Sequence, residues 1–228
     1  MSLKDLILPK FCLGCGFLGA YICLNCQKKL SYIAKDFCLY CGKPSLYGLT
    51  HPGCKRLHGI EGVVSIFYYN NFLKRLIKSI KYRLATEVFK ELCLVIKPDK
   101  LIKISMFKRL KKGEFWLQPI PLHPSRLRAR GFNQAKIIAD YFNQFLDFPL
   151  ANYLVRAKNT LSQAQIKKDK DRFKNMRGAF NVNTQEASGN NIILVDDIVT
   201  SGSTLKEAAR TLKSAGASSV FVLTLAKG

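Results

Sequence analysis

Apolar and polar positions alternate along this chain in two rhythms. The run Gly62-Val63-Val64-Ser65-Ile66-Phe67-Tyr68-Tyr69 is short, β-branched and aromatic, and predicts a strand. From Phe72 to Ile96 the rhythm changes. Phe72, Leu73, Leu76, Ile77, Ile80, Leu84, Val88, Leu92 and Val95 recur at helical spacing, with Lys74, Arg75, Lys78 and Lys81 on the opposite side. One amphipathic helix is expected there, followed by a basic connector over Lys97–Gly113. Glu114–Leu122 reads as a second strand running into a Pro-bounded loop, 119–131. Asn133 is a candidate cap for a helix over Gln134–Leu146, whose Ala135, Ile138, Ala139 and Phe142 share one face. A short strand is expected near Tyr153–Val155. The polar, basic stretch Ala157–Met176 has little periodicity and reads as a functional lid or a mobile loop, the usual roles of long structureless connections in compact domains. Ile192–Val195 predicts a buried strand, Ser203–Ser214 a helix closed by Gly216, and Ser219–Ala226 a last strand. Strand, helix and strand alternate through 114–228, which predicts an α/β fold with a doubly wound parallel sheet. Ligands in such sheets bind at the carboxyl ends of strands. The loops 121–132 and 196–204 both leave strands at that end.

The first 58 residues follow neither rhythm. Seven of the eight cysteines fall there, as Cys12-x-x-Cys15, Cys23-x-x-Cys26 and Cys38-x-x-Cys41, followed by His51-x-x-Cys54. Two thiolates on one tight turn can reach one ion, and two such knuckles complete a tetrahedron. A small zinc-ribbon domain over 1–58 is expected to precede a larger domain over 59–228. Pairing neighbours gives Cys12, Cys15, Cys23, Cys26 for one ion and Cys38, Cys41, His51, Cys54 for a second; interleaved pairing is the alternative. His51 is open between ligand and solvated loop residue. A closed shell of four protein ligands points to structural zinc rather than catalysis. A disulfide framework is the competing reading, and a reducing compartment disfavours it. Cys93 sits apart on an apolar helical face, where it reads as core.

Charge changes the picture further. Lys and Arg number 37 against 15 Asp and Glu, a formal net charge of +22. A field of that sign attracts nucleic acid, an anionic membrane face or phosphorylated small molecules. No apolar run approaches the ~18 residues of a membrane span. Met1-Ser2-Leu3-Lys4-Asp5 lacks a secretory signal pattern. A cytoplasmic protein is expected, with peripheral association at an inner membrane left open.

Against that positive background, the buried strand Ile192–Val195 runs into two adjacent carboxylates, Asp196 and Asp197, and then into Thr200-Ser201-Gly202-Ser203-Thr204. Gly202 lets the backbone approach an oxyanion, and the N–H groups opening the following helix form an anion nest. Ionised carboxylates only accept hydrogen bonds, so their small-molecule partners are sugar hydroxyls or a divalent metal. Phosphate and hydroxyl contacts side by side describe a 5-phosphorylated ribose.

Residues 193–204 resemble the 5-phosphoribosyl 1-pyrophosphate (PRPP) motif of type I phosphoribosyltransferases. The whole chain resembles the ComF proteins of natural competence. The further matches are Pro119-Ile-Pro-Leu-His-Pro124, Arg130-Gly-Phe-Asn-Gln-Ala135, the series Arg156, Thr160, Gln163, Arg172, Asn175 with Gly178-Ala-Phe180, and the cysteine-rich start. His51 departs from the expected knuckle cysteine. The resemblance implies that Asp196 and Asp197 hold the ribose hydroxyls and that residues 200–204 hold the 5-phosphate. It implies that Arg126 and Arg130, in preference to Arg128, approach pyrophosphate, that Mg²⁺ accompanies it, and that 157–176 is a hood. Thr200 stands where some purine-using relatives carry an acid, so no catalytic residue is assigned. Three functions follow. The first is a competence protein handling incoming single-stranded DNA, with a PRPP-binding domain. The second is an active phosphoribosyltransferase with an unknown acceptor. The third is an adaptor whose zinc ribbons dock a helicase or an inner-membrane DNA channel.

Overall fold

The computed structural model describes residues 9–79, 85–161, 165–166, 168–183 and 187–228. Its centre is a four-stranded, all-parallel sheet in the order β1 (Gly62–Tyr68), β6 (Ser219–Lys227), β5 (Asn191–Val199), β2 (Phe115–Pro119). Side chains alternate across it and feed two cores. On one face Ile193, Val195, Phe221, Leu223 and Leu225 meet helices α2 (Asn71–Ser79), α3 (Ala85–Leu94), α4 (Pro98–Leu110) and α6 (Gln134–Leu146). On the other, Ile192, Leu194, Val220 and Val222 meet Leu205, Ala208, Ala209 and Leu212 of α8 (Ser203–Ser214). Helices on both faces make this the expected doubly wound α/β fold.

The cysteine-rich end supplies each core in turn. Tyr21, Ile22, Cys26 and Leu30, around the short helix α1 (Leu24–Gln27), join the first core. Ile33, Phe37 and Leu39 join the second. Between them the chain runs along β1 and closes its free edge. The Ile33 N–H donates to the Ile66 carbonyl at 2.9 Å, and the Tyr68 N–H donates to Ser31 at 2.8 Å. An open edge of unpaired backbone groups is thereby covered. Both cysteine groups are assembled from sequence neighbours, with all ligand atoms of each group within 4.8 Å of one another.

Several elements differ from the sequence expectation. Of the helix expected over 72–96, the described residues form α2 and α3; the part at 80–84, with Ile80, Lys81 and Leu84, lies outside the described residues. The basic connector is largely helix α4. Its charge density hides an apolar i, i+3 pair, Ile104 and Phe107, both fully buried. Lys103 on that helix reaches Asp36 at 2.9 Å. The loop 121–131 contains a two-turn helix, α5 (Pro124–Arg130), begun by Pro124 and ended by Gly131 at φ +80°. The strand near 153–155 is β3 (Leu154–Arg156), which leaves the parallel sheet and pairs antiparallel with β4 (Phe180–Val182). Buried Gln118 ties this hairpin-like hood to β2, its Oε1 accepting from the Tyr153 N–H at 2.7 Å. The lid stretch contains helix α7 (Asp169–Met176). β5 continues four residues beyond Val195, because its main chain keeps pairing with β6 as far as Val199 opposite Lys227.

Gly48 shows how tightly the ribbon meets the sheet. It sits at φ +70°, and a Cβ there would lie 1.9 Å from the Val63 carbonyl oxygen of β1. Gly48→Ala should therefore cost about 2 kcal/mol or more. That corresponds to a fall in melting temperature of roughly 4–8 °C for a chain of this size, measurable by thermal denaturation of the zinc-loaded protein.

Candidate functional site

The carboxyl end of β5 delivers Asp196 and Asp197 to the junction of two cavities. The larger, about 410 Å³, is lined by Thr200, Gly202, Ser203 and Thr204 on one side and by Tyr69, Lys74 and Arg172 on the other. The smaller, about 160 Å³, is lined by Arg126, Arg130, Gln134 and Arg156. Both cavities share Asp196, Asp197 and Thr204. A pair of carboxylates thus stands between two cationic chambers.

In the larger chamber the loop is braced from within. Gly202 is the N-cap of α8 at φ +69°, and no acidic residue occupies the first turn of that helix. Its macrodipole and amide groups therefore face the cavity unopposed by a local carboxylate. Ser201 serves the brace: its Oγ donates to Ser203 Oγ at 3.2 Å, and its carbonyl accepts from Lys206 Nζ at 3.0 Å. Thr200 is exposed at the turn.

In the smaller chamber α5 decides which arginines matter. Residues four apart share a helical face, so Arg126 and Arg130 turn inward together while Arg128 is exposed. The partners of these guanidiniums and of Arg156 are neutral among the described residues. Arg126 donates to the Thr160 carbonyl, Arg130 to Gln134 Oε1 at 3.1 Å, and Arg156 to Thr160 Oγ1 at 2.6 Å. Burial and the neighbouring Arg126 charge lower Arg156 to about 10. Burial and Arg130 lower Arg126 as well. Gln134 is 5% exposed, and its Nε2 has no hydrogen-bond partner among the described residues. A buried amide donor without an acceptor costs free energy unless a ligand supplies one. The chamber is built for an anion.

Asp196 is pushed well above the usual carboxylate range, first by burial and then by the charge of Asp197; the Asp197 N–H, which donates to it at 2.9 Å, and Arg156 pull the other way. Burial and the Asp197 charge outweigh both of these favourable contacts.

The two cysteine groups are metal centres by geometry. Cys15 and Cys23 Sγ are 3.6 Å apart, close to the sulfur–sulfur separation of about 3.8 Å that a tetrahedral ion with 2.3 Å bonds imposes. Cys12 accepts from the Gly14 and Cys23 N–H groups at 3.4 and 3.5 Å. Burial raises its thiol pKa, but these and the Cys15 N–H outweigh burial and bring it down to about 6. His51 joins the second group: Nδ1 is 3.3 Å from Cys41 Sγ, while Nε2 is 3.1 Å from the Pro44 carbonyl. That outer hydrogen bond fixes the tautomer a ligating Nδ1 requires. Structural zinc fits these donors and would hold the knuckles closed.

Comparison with known proteins agrees with this construction. Residues 3–56 match the double zinc ribbon domain model, and residues 127–228 match the phosphoribosyl transferase domain model. Competence protein ComFC of Bacillus subtilis is 32% identical over 212 residues, covering 90% of this chain and 83% of that protein. Competence protein F of Haemophilus influenzae is 30% identical, with 90% of both chains covered. This chain belongs to the ComF family. The chain is also similar to the DNA utilization protein YhgH of Escherichia coli, 25% identical over 97% of this chain and 99% of that protein.

Within this ComF chain, the sequence leaves several pocket residues unassigned. Lys74 reads as part of a wet helix face, yet it lines the larger chamber. Arg156 and Arg172 enter only as members of a family series, and Gln134 only as a helix start and a member of the Arg130–Ala135 family match. The i, i+4 spacing of Arg126, Arg130 and Gln134 is the signal that could have joined them. Gln163 lies outside the described residues.

Because the folded-state pKa of Asp196 lies above its unfolded value, the ionised group costs stability as pH rises through that window. The cost is in full force above the folded pKa. Asp196→Asn keeps the oxygen that accepts from the Asp197 N–H and removes the charge. It should raise the melting temperature of the ligand-free protein at neutral pH by about 2–4 °C, the effect of ~1 kcal/mol, and give no gain in acid. Calorimetry at two pH values checks this.

Proposed function

We propose that this protein works in natural competence, handling incoming single-stranded DNA, and that its pocket binds PRPP with Mg²⁺. The observation that carries the reading is the carboxylate pair set between two anion chambers. A molecule with a phosphate at one end, vicinal hydroxyls in the middle and a pyrophosphate at the other matches that order of groups. Thr200, Ser203 and Thr204, with the first amides of α8, would take the 5-phosphate. Asp196 and Asp197 would accept hydrogen bonds from the ribose hydroxyls. Arg126, Arg130, Arg156 and the free Nε2 of Gln134 would surround the pyrophosphate. Mg²⁺ supplies charge neutralisation of the pyrophosphate oxygens. Lys74 and Arg172 close the opposite wall. The names of the relatives, competence proteins and a DNA utilization protein, support the cellular role.

Titration calorimetry with PRPP and Mg²⁺ tests the pocket. Binding is expected in the wild type and lost in the Asp196→Ala, Asp197→Ala double variant with its fold intact. Unchanged affinity in that variant would refute the assignment. Hydroxyl recognition needs ionised carboxylates, so affinity should fall as pH is lowered, with a midpoint above the ordinary Asp range. The ligand should move that midpoint down.

The DNA reading rests on the +22 charge and its distribution. Lys158, Lys174, Arg177 and Arg210 converge on one open hollow beside the hood. Single-stranded DNA affinity should fall steeply between about 50 and 200 mM salt, with a log–log slope near −0.7 per phosphate neutralised. Lys174→Ala with Arg177→Ala should flatten that slope by about 1–1.5. Filter binding decides, and no detectable affinity near physiological salt sinks the reading. Transfer of the phosphoribosyl group to an acceptor is the second reading. Acceptor-dependent pyrophosphate release would show it.

A further inference from the structure

Lys206 stands one turn into α8, and three separate parts of the chain meet on its ammonium. Nζ lies 5.0 Å from the ring centroid of Tyr40 and 5.1 Å from that of Phe173, and it donates to the Ser201 carbonyl at 3.0 Å. Tyr40 belongs to the knuckle between Cys38 and Cys41. Phe173 belongs to α7 of the hood. Ser201 belongs to the ligand loop. Two aromatic faces on one cation form an attractive clamp whose strength grows as water is excluded.

The knuckle side of the clamp is fixed by the metal group. Tyr40 lies one residue before Cys41, and its hydroxyl accepts from the Ile60 N–H at 2.9 Å. Its neighbour Leu39 is buried and roofs the loop: a Cβ on Gly202 would come within 3.2 Å of Leu39 Cδ1 and 3.4 Å of Lys206 Cε. The loop thus has a lid made by the residues between two zinc ligands, and a tether made by Lys206. Burial lowers the pKa of that ammonium, while Asp169 of α7 and the Cys38 sulfur favour its charge.

We propose that Lys206 is a positioning residue that couples the second zinc ribbon to the ligand loop, so that the metal held by Cys38, Cys41, His51 and Cys54 sets the order of residues 200–206. The identity of the loop's ligand rests on the PRPP reading; the coupling itself does not. Zinc fixes the 38–41 turn, the turn presents Tyr40 and Leu39, and these hold Lys206 and Gly202 in place. By reciprocity, a ligand that orders the loop must tighten the hold on zinc by the same factor.

The test uses the full, zinc-loaded chain and begins without ligand. Hydrogen–deuterium exchange of the amides of 200–206 is measured in the wild type, Tyr40→Leu, Lys206→Met and the double variant, with zinc content checked in each. Each single change should speed exchange, by roughly 3- to 30-fold for a clamp of ordinary strength. The double variant should exchange no faster than the worse single one. Tyr40→Phe keeps the ring and should stay near wild type, which separates the clamp from the hydroxyl contact to Ile60. Unchanged exchange in Tyr40→Leu, or fully additive effects, overturns the proposal. Zinc release to a colorimetric chelator, with and without PRPP and Mg²⁺, reads the reverse direction. In a protein that binds PRPP, one of two zinc equivalents should leave more slowly with ligand, and Lys206→Met should abolish the difference; ligand-independent release overturns the coupling. If calorimetry shows no PRPP binding while exchange is non-additive, the coupling stands and the ligand assignment falls.

Discussion

Asp196 sits on a main chain that is still paired, opposite Thr224 of the neighbouring strand, and its half-buried carboxylate lines both cavities together with that of Asp197. Two like charges so close, and partly withdrawn from water, are expensive. The surroundings show how that expense is distributed. Arg126, Arg130 and Arg156 line the smaller chamber with the pair, and they donate hydrogen bonds to neutral groups of Thr160 and Gln134. Acids and bases are held apart at a distance that a ligand can bridge. Such an arrangement lowers stability in the free protein and returns it on binding, the pattern expected where function and stability compete.

The zinc ribbons are integral to that arrangement. A stretch of about 50 residues could not bury a core of its own. Its apolar side chains instead complete both cores of the sheet domain, and its backbone covers the edge of β1. Metal geometry then becomes a means of fixing side chains far from any ion. The 38–41 turn lies over the ligand loop, while Asp36 anchors the basic helix α4 through Lys103. The contacts of Leu39 with Gly202 and of Tyr40 with Lys206 bring the second knuckle against the loop that lines the larger chamber.

How far the sequence reveals the molecule depends on the range of the interaction involved. The four parallel strands and the helices at 134–146 and 203–214 are legible because their apolar periodicity is local and strong. Helix α4 is not, since its basic residues mask the apolar positions, Ile104 and Phe107 among those described, that it buries. The extent of β5 is hidden because Asp is a poor strand former, and only pairing with β6 keeps the chain extended through Val199. His51 is undecidable from spacing alone. Its Nε2 contact to Pro44 and its distance from Cys41 exist only after the knuckles have closed.

The sequence by itself determined the candidate motifs: knuckles whose two thiols are three residues apart, a glycine at a helix start that lets the backbone approach an oxyanion, and adjacent carboxylates at the end of an apolar strand. Each is a short-range constraint written in consecutive residues. The tertiary structure decided which distant groups share a site. It brought Arg156 and Gln134 to the arginines of α5, turned Arg128 away, and set Tyr40 and Phe173 on either side of Lys206. The contacts of Arg156 and Lys206 reach residues on other elements of the chain, and no local propensity encodes them. They arise from the crossover connections of a parallel sheet, which gather loops from the whole chain at one end.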